Sequence, residues 1–396
     1  MKLKTFGPVD DRARQQIERC AEREAPFAVL CADHHPGYSQ PIGGAVAYKD
    51  HISPSGVGYD IACGNKAVLT DAKVKDINVR KVMDDIVRLI GFGVGRPNPD
   101  PVDHPVLDRI NQAEFRPQRK MIQMASNQLG TVGSGNHYVD IFADEEDRVW
   151  IGVHFGSRGF GHRTASGFLA LAKGRNFDDK IGDGEMDSPP VLFSTSSNLG
   201  QDYLNAMHLA GEYAYAGRDI VCKKVLEIMG ANEVESIHNH HNFAWKEKHG
   251  GEDVWVIRKG CTPAFPGQKG FVGSTMGDIS VILQGVESPD SKAGLYSTVH
   301  GAGRVMSRTQ AAGKVKWIKG VPTRVRGGVV DWEAVQERIA NQGIELRGGG
   351  ADEAPEVYKK LEAVLSHHAG TIEVLHRLRP IGVAMAGLDV YDPYKD

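Results

Sequence analysis

The residues best suited to chemistry in this chain surround a histidine in its C-terminal half. Residues 297–308 read STVHGAGRVMSR, so that His300 stands directly before small residues and arginines: Gly301, Ala302, Gly303, Arg304 and Arg308. Glycine has no Cβ, which lets a phosphate or a backbone segment approach the imidazole closely. Guanidinium groups are flat, forked donors suited to phosphate. The same pattern also fits a glycine-rich turn around a buried structural histidine, so the motif alone leaves both interpretations open.

Four other fragments place potential metal ligands where strands meet loops. They read GVGYDIACG at 56–64, GSGNHY at 133–138, VHFGSRG at 153–159 and HNHHNF at 238–243. Their candidate ligands are Asp60, Cys63, His137, His154 and His241. One thiolate, one carboxylate and three imidazoles make the ligand set of a transition-metal site that is assembled by folding. With Cys63 shared between two ions, these ligands would form a dinuclear centre with open positions for substrate oxygens.

Two points stay open at the level of ligand chemistry. Scattered structural histidines and a buried cysteine are the alternative to a metal site, because each fragment by itself is a weak signal. Zinc is the ion that thiolate and imidazole ligands favour, whereas manganese, cobalt and iron are not excluded.

The elements that must position these residues follow one another without a regular order. Periodic apolar residues predict helices at 73–90, 105–129, 201–229, 331–341 and 355–368. Short β-branched or aromatic runs predict strands at 45–48, 67–70, 138–142, 149–155, 254–257 and 279–283. This mixture favours an α+β fold over a doubly wound sheet. The polar stretch 174–198 is expected to be a surface loop, and candidate residues on both sides of it favour one domain over residues 1–396.

The composition limits which cellular compartment and which binding partners are expected for this protein. The net charge of −3 argues against a protein that binds nucleic acid over its whole surface. Residues 301–330, however, contain no acidic residue and seven basic ones, Arg304, Arg308, Lys314, Lys316, Lys319, Arg324 and Arg326. This stretch is either a solvated face or a nucleic-acid track. Five unpatterned cysteines, no signal-like start and no apolar run of membrane-spanning length lead us to expect a cytoplasmic protein.

Taken in chain order, the motifs resemble those of the RtcB family of RNA ligases. The resemblance rests on the four fragments above, on RKG at 258–260 and on HGAGRVMSR at 300–308, and DHHPG at 33–37 with PIGG at 41–44 precedes them. It implies a single α+β domain with mixed or antiparallel sheets flanked by helices and an active site in a central cleft. It also implies an enzyme that joins an RNA 2′,3′-cyclic phosphate or 3′-phosphate to a 5′-hydroxyl, using GTP and two divalent ions. Manganese is expected from the family, with zinc or cobalt as alternatives.

The resemblance also implies a role for each candidate residue. Cys63 would bridge the two ions, His154 and His241 would complete one site, and Asp60 and His137 the other. His300 would be the nucleophile that takes up GMP, oriented by Asp33. Contacts to the nucleotide are expected from Asn136, Asp140, Thr275, Gly301, Ala302, Gly303 and Arg304. Contacts to phosphate or the RNA end are expected from Arg158 and Arg308.

Three positions depart from the family pattern, all on the nucleotide side. Ala386 stands where the family usually has a lysine that reads guanine, Asp140 replaces a glutamate, and STMG at 274–277 replaces GSMG. We therefore expect catalysis with relaxed or differently achieved guanine selectivity, and Lys395 is a candidate substitute. The alternative functions are a metal-dependent RNA phosphohydrolase or nuclease and a non-catalytic RNA-end binding protein. A monomer is expected, and an archease-like activator is a further expected partner.

Overall fold

A curved eight-stranded sheet and a five-stranded sheet carry the motif residues. The structure, a computed structural model, describes residues 2–22, 25–182, 184–318, 321–388 and 390, without the side chains of 315–317 and 321–325. Its strands are β1 Lys2–Thr5, β2 Phe27–His35, β3 Ile42–Tyr48, β4 His51–Ile52, β5 Gly64–Lys73, β6 Tyr138–Ala143, β7 Arg148–Phe155, β8 Phe193–Ser194, β9 Glu233–His240, β10 Asn242–His249, β11 Glu252–Lys259, β12 Cys261–Pro263, β13 Lys269–Val272, β14 Ser280–Gly285, β15 Ser297–Val299, β16 Gly313–Ile318, β17 Val321–Gly327, β18 Glu345–Arg347 and β19 Ile372–Met385.

Helices cover the sheets from several sides. The α-helices are α1 Asp11–Ala21, α2 Pro54–Val57, α3 Val79–Leu89, α4 Pro105–Asn111, α5 Arg116–Arg119, α6 Ile122–Gln128, α7 Arg158–Ala172, α8 Asn198–Met229, α9 Pro289–Ala293, α10 Arg308–Ala312, α11 Trp332–Asn341 and α12 Leu361–Ser366. Single 3₁₀ turns lie at Val74–Asp76, Ala351–Glu353 and Pro355–Val357. None of the helices in the described part of the chain has the length and apolarity needed to cross a bilayer.

The larger sheet has the order β13-β14-β19-β6-β7-β5-β9, with β18 parallel to β19, and the smaller one has the order β1-β2-β3-β11-β10. The larger sheet curls until its two ends approach each other. Asn239 in β9 donates a side-chain hydrogen bond to the carbonyl of Lys269 in β13 at 3.3 Å, and Asn65 in β5 donates to the carbonyl of Phe271 at 2.9 Å. These mostly antiparallel sheets flanked by helices confirm the predicted α+β class.

The register of four neighbouring strands sets the position of the motif residues. Gly64 pairs with Phe155 in β7 and with His240 in β9, and Tyr138 in β6 pairs with His154. The residues just before β5 and β6, near the end of β7 and just after β9 therefore lie side by side at one end of the sheet. Gly64 has to be a glycine, because a Cβ there would lie 2.1 Å from the carbonyl oxygen of Asn239.

Apolar packing holds this sheet end in place. On one face, Met83 and Ile86 of α3 and Val225 of α8 pack against Val139 and Val153 of the sheet. Burying a side chain of this size stabilises the fold by about 1.5–3 kcal/mol. The ligand loops are therefore anchored on a core that resists rearrangement, which is what a precise site requires.

The predicted elements are confirmed unevenly. All six predicted strands are present as β3, β5, β6, β7, β11 and β14, and the helices predicted at 201–229 and 331–341 are present. The bounds of β6 and β7 are predicted to within one residue, whereas β3 begins three residues earlier than predicted and β5 extends three residues further at each end. The single helices predicted at 105–129 and 355–368 are wrong: the first is three short helices, and the second is a 3₁₀ turn followed by α12. Pro117 lies in the first turn of α5, where its missing N–H is tolerated but could not continue a preceding helix.

Two more differences concern the residue at which one helix begins and the helices that the sequence does not predict. The helix predicted from residue 73 begins at Val79, where the Asn78 side chain accepts from Lys81 N at 3.0 Å, because β5 and a 3₁₀ turn occupy the preceding residues. Helices α1 and α7 were not predicted. Helix α7 contains three glycines, and Gly167 leaves the space that the Phe177 ring fills. The stretch 174–198 is largely an exposed loop, apart from β8 and the start of α8.

Candidate active site

The five candidate metal ligands meet in one cavity of about 290 Å³, which we call the main cavity. They form a chain of short contacts. Asp60 Oδ2 lies 3.1 Å from His137 Nε2, and Cys63 Sγ lies 3.6 Å from the same nitrogen. Cys63 Sγ is also 3.3 Å from His154 Nε2, and the His154 ring is 5.2 Å from the His241 ring, between centroids. Cys63 is therefore central, with a carboxylate and an imidazole on one side and two imidazoles on the other.

Backbone geometry around these ligands fixes their orientation. His154 Nδ1 lies 3.0 Å from the carbonyl oxygen of Asn136, so that an Nδ1–H donated there leaves the Nε2 lone pair facing Cys63. Such an outer hydrogen bond sets the tautomer of a metal-binding histidine. Ala62, directly before Cys63, has φ of 60°, a left-handed conformation that a non-glycine residue adopts only when its surroundings hold it there.

A buried arginine, which the sequence gave no reason to select, provides that restraint. Arg218 of α8 is fully buried and donates hydrogen bonds to the carbonyls of Ala62 at 3.0 Å and Phe155 at 2.5 Å. It also contacts His238 Nε2 at 2.7 Å and His240 Nδ1 at 2.9 Å. Arg218 thus ties the loop that carries Cys63 to the strand end that carries His154.

The protonation of the ligands follows from burial and from their neighbours. Burial lowers the pKa of His154 and of His241 well below the usual range, so both rings are neutral, as metal ligands must be. Burial opposes ionisation of Asp60, but His137 outweighs it and lowers the Asp60 pKa to about 2. Burial and then Asp60 raise the pKa of Cys63 well above its usual value. A cation at this point would relieve that cost, because a coordinating thiol is deprotonated.

His300 lies at the end of this chain of ligands, with its ring centroid 4.9 Å from that of His241. Asp33 is fully buried, and its Oδ2 accepts from His300 Nδ1 at 2.7 Å, from His300 N at 3.0 Å and from Gly301 N at 3.4 Å. Burial opposes ionisation of Asp33, but the interaction with His300 lowers its pKa below the usual value. In the neutral ring an Nδ1–H held by Asp33 leaves the lone pair on Nε2, the nitrogen of a nucleophile.

The turn after His300 is shaped to seat this pair. Gly303 has φ of 78°, and a Cβ there would lie 2.1 Å from the carbonyl oxygen of Asp33. Gly301, Ala302, Gly303 and Arg304 all line the main cavity. The glycines therefore allow the turn to pack on β2 while its backbone faces the cavity.

The far wall of the main cavity carries polar atoms without hydrogen-bond partners. Among the described residues that line this cavity, five have such an atom: His137 Nδ1, Tyr138 OH, Asp140 Oδ1, Ser274 Oγ and Thr275 Oγ1. Buried polar groups are normally satisfied, and several orphans that face one space indicate a polar ligand. Burial raises the pKa of Asp140 well above its usual range.

The three candidate arginines differ in their surroundings. Arg304 donates to Tyr358 OH at 2.9 Å and to the carbonyl of Asp352 at 2.8 Å. Arg308 forms ion pairs with Asp352 at 3.1 Å and with Glu353, which the sequence did not single out. Arg158 lies outside the main cavity and lines a neighbouring one, so the structure separates it from His300. Arg308 lines both cavities, together with Asp60, Asn136 and His137.

Two expectations concern residues that the structure describes only in part. The basic stretch 301–330 includes α10 and the antiparallel pair β16–β17, but Lys319 lies outside the described residues and the side chains of Lys316 and Arg324 are not described. Ala386 directly follows β19, and its carbonyl accepts from Gly349 N at 3.1 Å. Lys395, the suggested substitute for the missing lysine, lies outside the described residues.

The residues present fit a metal centre. A tetrahedral ion bound by one sulfur and one imidazole nitrogen holds these two atoms about 3.6 Å apart. Ligand atoms of Cys63, His137 and His154 all lie within 4.8 Å of one another, and the Sγ–Nε2 separations are 3.3 and 3.6 Å. With Asp33 and His300 next to these ligands and a polar cavity beside them, the arrangement is that of the active site of a metal-dependent enzyme.

Comparison with known proteins identifies the family. The family model described as tRNA-splicing ligase RtcB matches residues 16–123 and 106–386. The RNA-splicing ligase RtcB of Escherichia coli (strain K12) is 30% identical over 96% of this chain and 96% of its own length. The tRNA-splicing ligases RtcB of Archaeoglobus fulgidus and Pyrobaculum aerophilum are each 30% identical, over 97% and 90% of this chain and 95% and 87% of their own lengths.

The chain belongs to the RtcB family and is an RNA ligase. The resemblance predicted from the motifs is thereby confirmed. The family match also favours a metal site of a metal-dependent ligase as the interpretation of the ligand cluster. The alternative was a set of scattered structural histidines.

Proposed function

We propose that this enzyme joins an RNA 2′,3′-cyclic phosphate or 3′-phosphate end to a 5′-hydroxyl end through a guanylylated His300, in tRNA splicing or RNA repair. GTP is the co-substrate and two divalent ions, manganese by family expectation, occupy the site. The observation that carries the proposal is the buried Asp33–His300 pair, 2.7 Å apart, at the end of the ligand cluster. A hydrolase has no need of such a nucleophile beside its metal ligands.

The protein groups supply orientation, charge and a nucleophile. His300 Nε2 attacks the α-phosphorus of GTP, a P–N bond forms, and the bond to the pyrophosphate oxygen breaks. Asp33 keeps Nδ1–H in place and stabilises the positive ring that forms. Asp60, Cys63, His137, His154 and His241 would hold the ions, which supply Lewis-acid neutralisation of charge on phosphate oxygens when bound. Water first opens a 2′,3′-cyclic phosphate to a 3′-phosphate. A 3′-phosphate oxygen then attacks the transferred phosphorus and releases His300, and the 5′-hydroxyl oxygen attacks the 3′-phosphorus and displaces GMP.

The orphan polar atoms of the main cavity are the groups available to the nucleotide. Tyr138, Ser274 and Thr275 offer hydroxyls, and the carboxyl of Asp140, whose pKa is raised by burial, adds a further polar group. With Ala386 in place of lysine, no cation at that position reads the guanine carbonyl. We therefore propose that guanine is selected less strictly than the family pattern implies.

The direct test is covalent labelling and sealing by the purified protein. With manganese and α-³²P-GTP, we expect label that survives denaturation, and with an RNA pair bearing 3′-phosphate and 5′-hydroxyl ends we expect a sealed product. The same labelling with ATP, CTP and UTP measures selectivity, and strict dependence on GTP would remove the idea of relaxed selectivity. Cleavage without label would favour the nuclease, and RNA binding without reaction would favour the non-catalytic homologue.

Asp33→Asn tests the orientation of the nucleophile. An amide N–H that faces His300 Nδ1 favours the tautomer with a proton on Nε2, which leaves no lone pair there for attack. We expect the rate of covalent GMP uptake to fall by up to about 10⁴-fold. Single-turnover labelling measures it. As a matched control, Asp290→Asn removes an exposed carboxylate that pairs with Lys4 and should label at the wild-type rate. A wild-type rate in Asp33→Asn would contradict the assigned role.

A further inference from the structure

A second cavity of about 460 Å³ adjoins the ligand cluster at Asp60 and His137, and His300 is not among its described lining residues. We call it the side cavity. It meets the main cavity at Asp60, Asn136, His137 and Arg308, which line both. A ligand bound in the side cavity would therefore reach the candidate metal ligands at Asp60 and His137, whereas a nucleotide in the main cavity would lie beside His300.

The side cavity contains a ready platform for a flat ring. Tyr59 and His162 both line it, and their rings stack with centroids 5.3 Å apart and planes 24° apart. Tyr59 directly precedes the ligand Asp60, and His162 lies in the second turn of α7. Both side chains are half-buried, so a face of the pair is open to the cavity. Nucleobases stack on such aromatic faces whatever their sequence.

Positive charge accompanies this platform. Arg158 and Arg163 line the same cavity, and Arg163 is exposed. Arg158 donates hydrogen bonds to Thr131 Oγ1 at 3.2 Å and to the carbonyl of Gly93 at 2.8 Å, and these bonds hold it beside Asp60. A fixed guanidinium next to a stacking surface suits a nucleotide with a terminal phosphate.

A third cavity, of about 820 Å³, is less suited to that ligand. Among its described lining residues there is no stacked pair of rings like Tyr59 and His162, and its Arg12 is paired with the carboxylate of Asp187 at 2.9 Å. The main cavity contains His300 and the orphan polar groups assigned to the nucleotide co-substrate. The side cavity is thus the better place for the phosphorylated RNA end.

We propose that the side cavity binds the last nucleotide of the RNA strand that carries the 3′-phosphate, with its base stacked on Tyr59 and His162. This inference rests on the proposed function. Arg158 holds the terminal phosphate, so that its oxygens point across Asp60 and His137 toward the main cavity. The enzyme thereby requires a base at this position without reading which base it is.

The test compares a normal 3′-phosphate strand with one whose last nucleotide lacks its base but keeps ribose and phosphate. For the wild type we expect kcat/KM for ligation to be about tenfold lower with the abasic strand. Tyr59→Leu should be about tenfold slower with the normal strand and show no further loss with the abasic one. His162→Leu should reduce the base dependence as well, and it provides a second reading if Tyr59→Leu does not fold.

Three controls show whether the effect depends on the aromatic ring at position 59 and on the base of the 3′-phosphate strand. Tyr59→Phe keeps the ring and should keep the base dependence. Tyr296→Leu removes another stacked tyrosine, 4.8 Å from Phe265 and outside the side cavity, and should behave as the wild type. Removing the base from the 5′-hydroxyl strand should leave the effect of Tyr59→Leu unchanged.

The inference is overturned if the wild type tolerates the abasic 3′ end, if Tyr59→Leu retains the full base dependence, or if the dependence belongs to the 5′ strand. RNA-free labelling of the wild type with GTP tests the proposed function separately. If the wild type takes up GMP but ligates the normal and the abasic 3′ strands equally well, only the assignment of the side cavity is wrong.

Discussion

His300→Gln should abolish covalent uptake of GMP and lower RNA sealing to less than about one-thousandth of the wild-type rate. Glutamine keeps a polar side chain of similar reach but has no lone pair of comparable nucleophilicity, so no P–N bond can form. The ligands from Asp60 to His241 are left in place, and metal binding should persist. Gel detection of label after denaturation and ligation of a 3′-phosphate strand measure the two effects.

A histidine outside the site serves as the matched control. His376→Gln in β19 changes the same residue type, and its ring lies 3.4 Å from Glu145 in a partly exposed ion pair. Such a pair contributes little to stability, so this variant should label and ligate as the wild type does. Label retained by His300→Gln would mean that another residue is the nucleophile, and the proposed function would have to be rebuilt around it.

Much of the site could be predicted from the sequence because its ligands stand at strand ends. Apolar runs predict β6 and β7 to within a residue of their bounds and mark the middle of β5, and Cys63, His137 and His154 flank or end those strands. What the sequence could not provide was register. That Gly64 lies opposite both Phe155 and His240 is a property of the folded sheet, and only this pairing brings the fragments to one edge.

The supporting residues were beyond sequence reasoning for a different reason. Arg218 sits within the apolar periodicity of α8, where an arginine reads as an interruption, and its partners are carbonyls that no motif marks. Asp352 and Glu353, which pair with Arg308, come from a short 3₁₀ turn without a recognisable signal. Such groups act through backbone geometry and burial, and these exist only after folding.

The sequence does not predict helix α7, although a motif marks the first residue of this helix, Arg158. Arg158 was selected by its motif, whereas the glycines at 159, 161 and 167 lower helix propensity. Tertiary packing overrides that cost, because a Cβ at Gly161 would clash with Ser157 and one at Gly167 with Phe177. Close approach of α7 to its neighbours is therefore what those glycines provide, and it sets the position of Arg158 and His162.

Cys63→Ala should lower the affinity for divalent ions by more than about 100-fold and reduce ligation to the same background as His300→Gln. Loss of a supporting contact around a metal ligand already costs 10- to 100-fold in affinity, and Cys63 is itself the central donor, within 3.6 Å of His137 and His154. Calorimetric titration with manganese and with cobalt measures the affinity. The cobalt-bound wild type should also show a thiolate charge-transfer band that the variant lacks.

Thermal unfolding separates a lost metal from a damaged fold. Because an ion that binds only the folded state raises its stability, saturating manganese should raise the Tm of the wild type but not that of Cys63→Ala, while the metal-free Tm values stay close. Cys20→Ala truncates another fully buried thiol, whose Sγ contacts the carbonyl of Ser39 at 3.4 Å, and should keep the metal-dependent rise. Should Cys63→Ala bind manganese as tightly as the wild type, Cys63 would be a packing residue and the centre would consist of histidines and Asp60 alone.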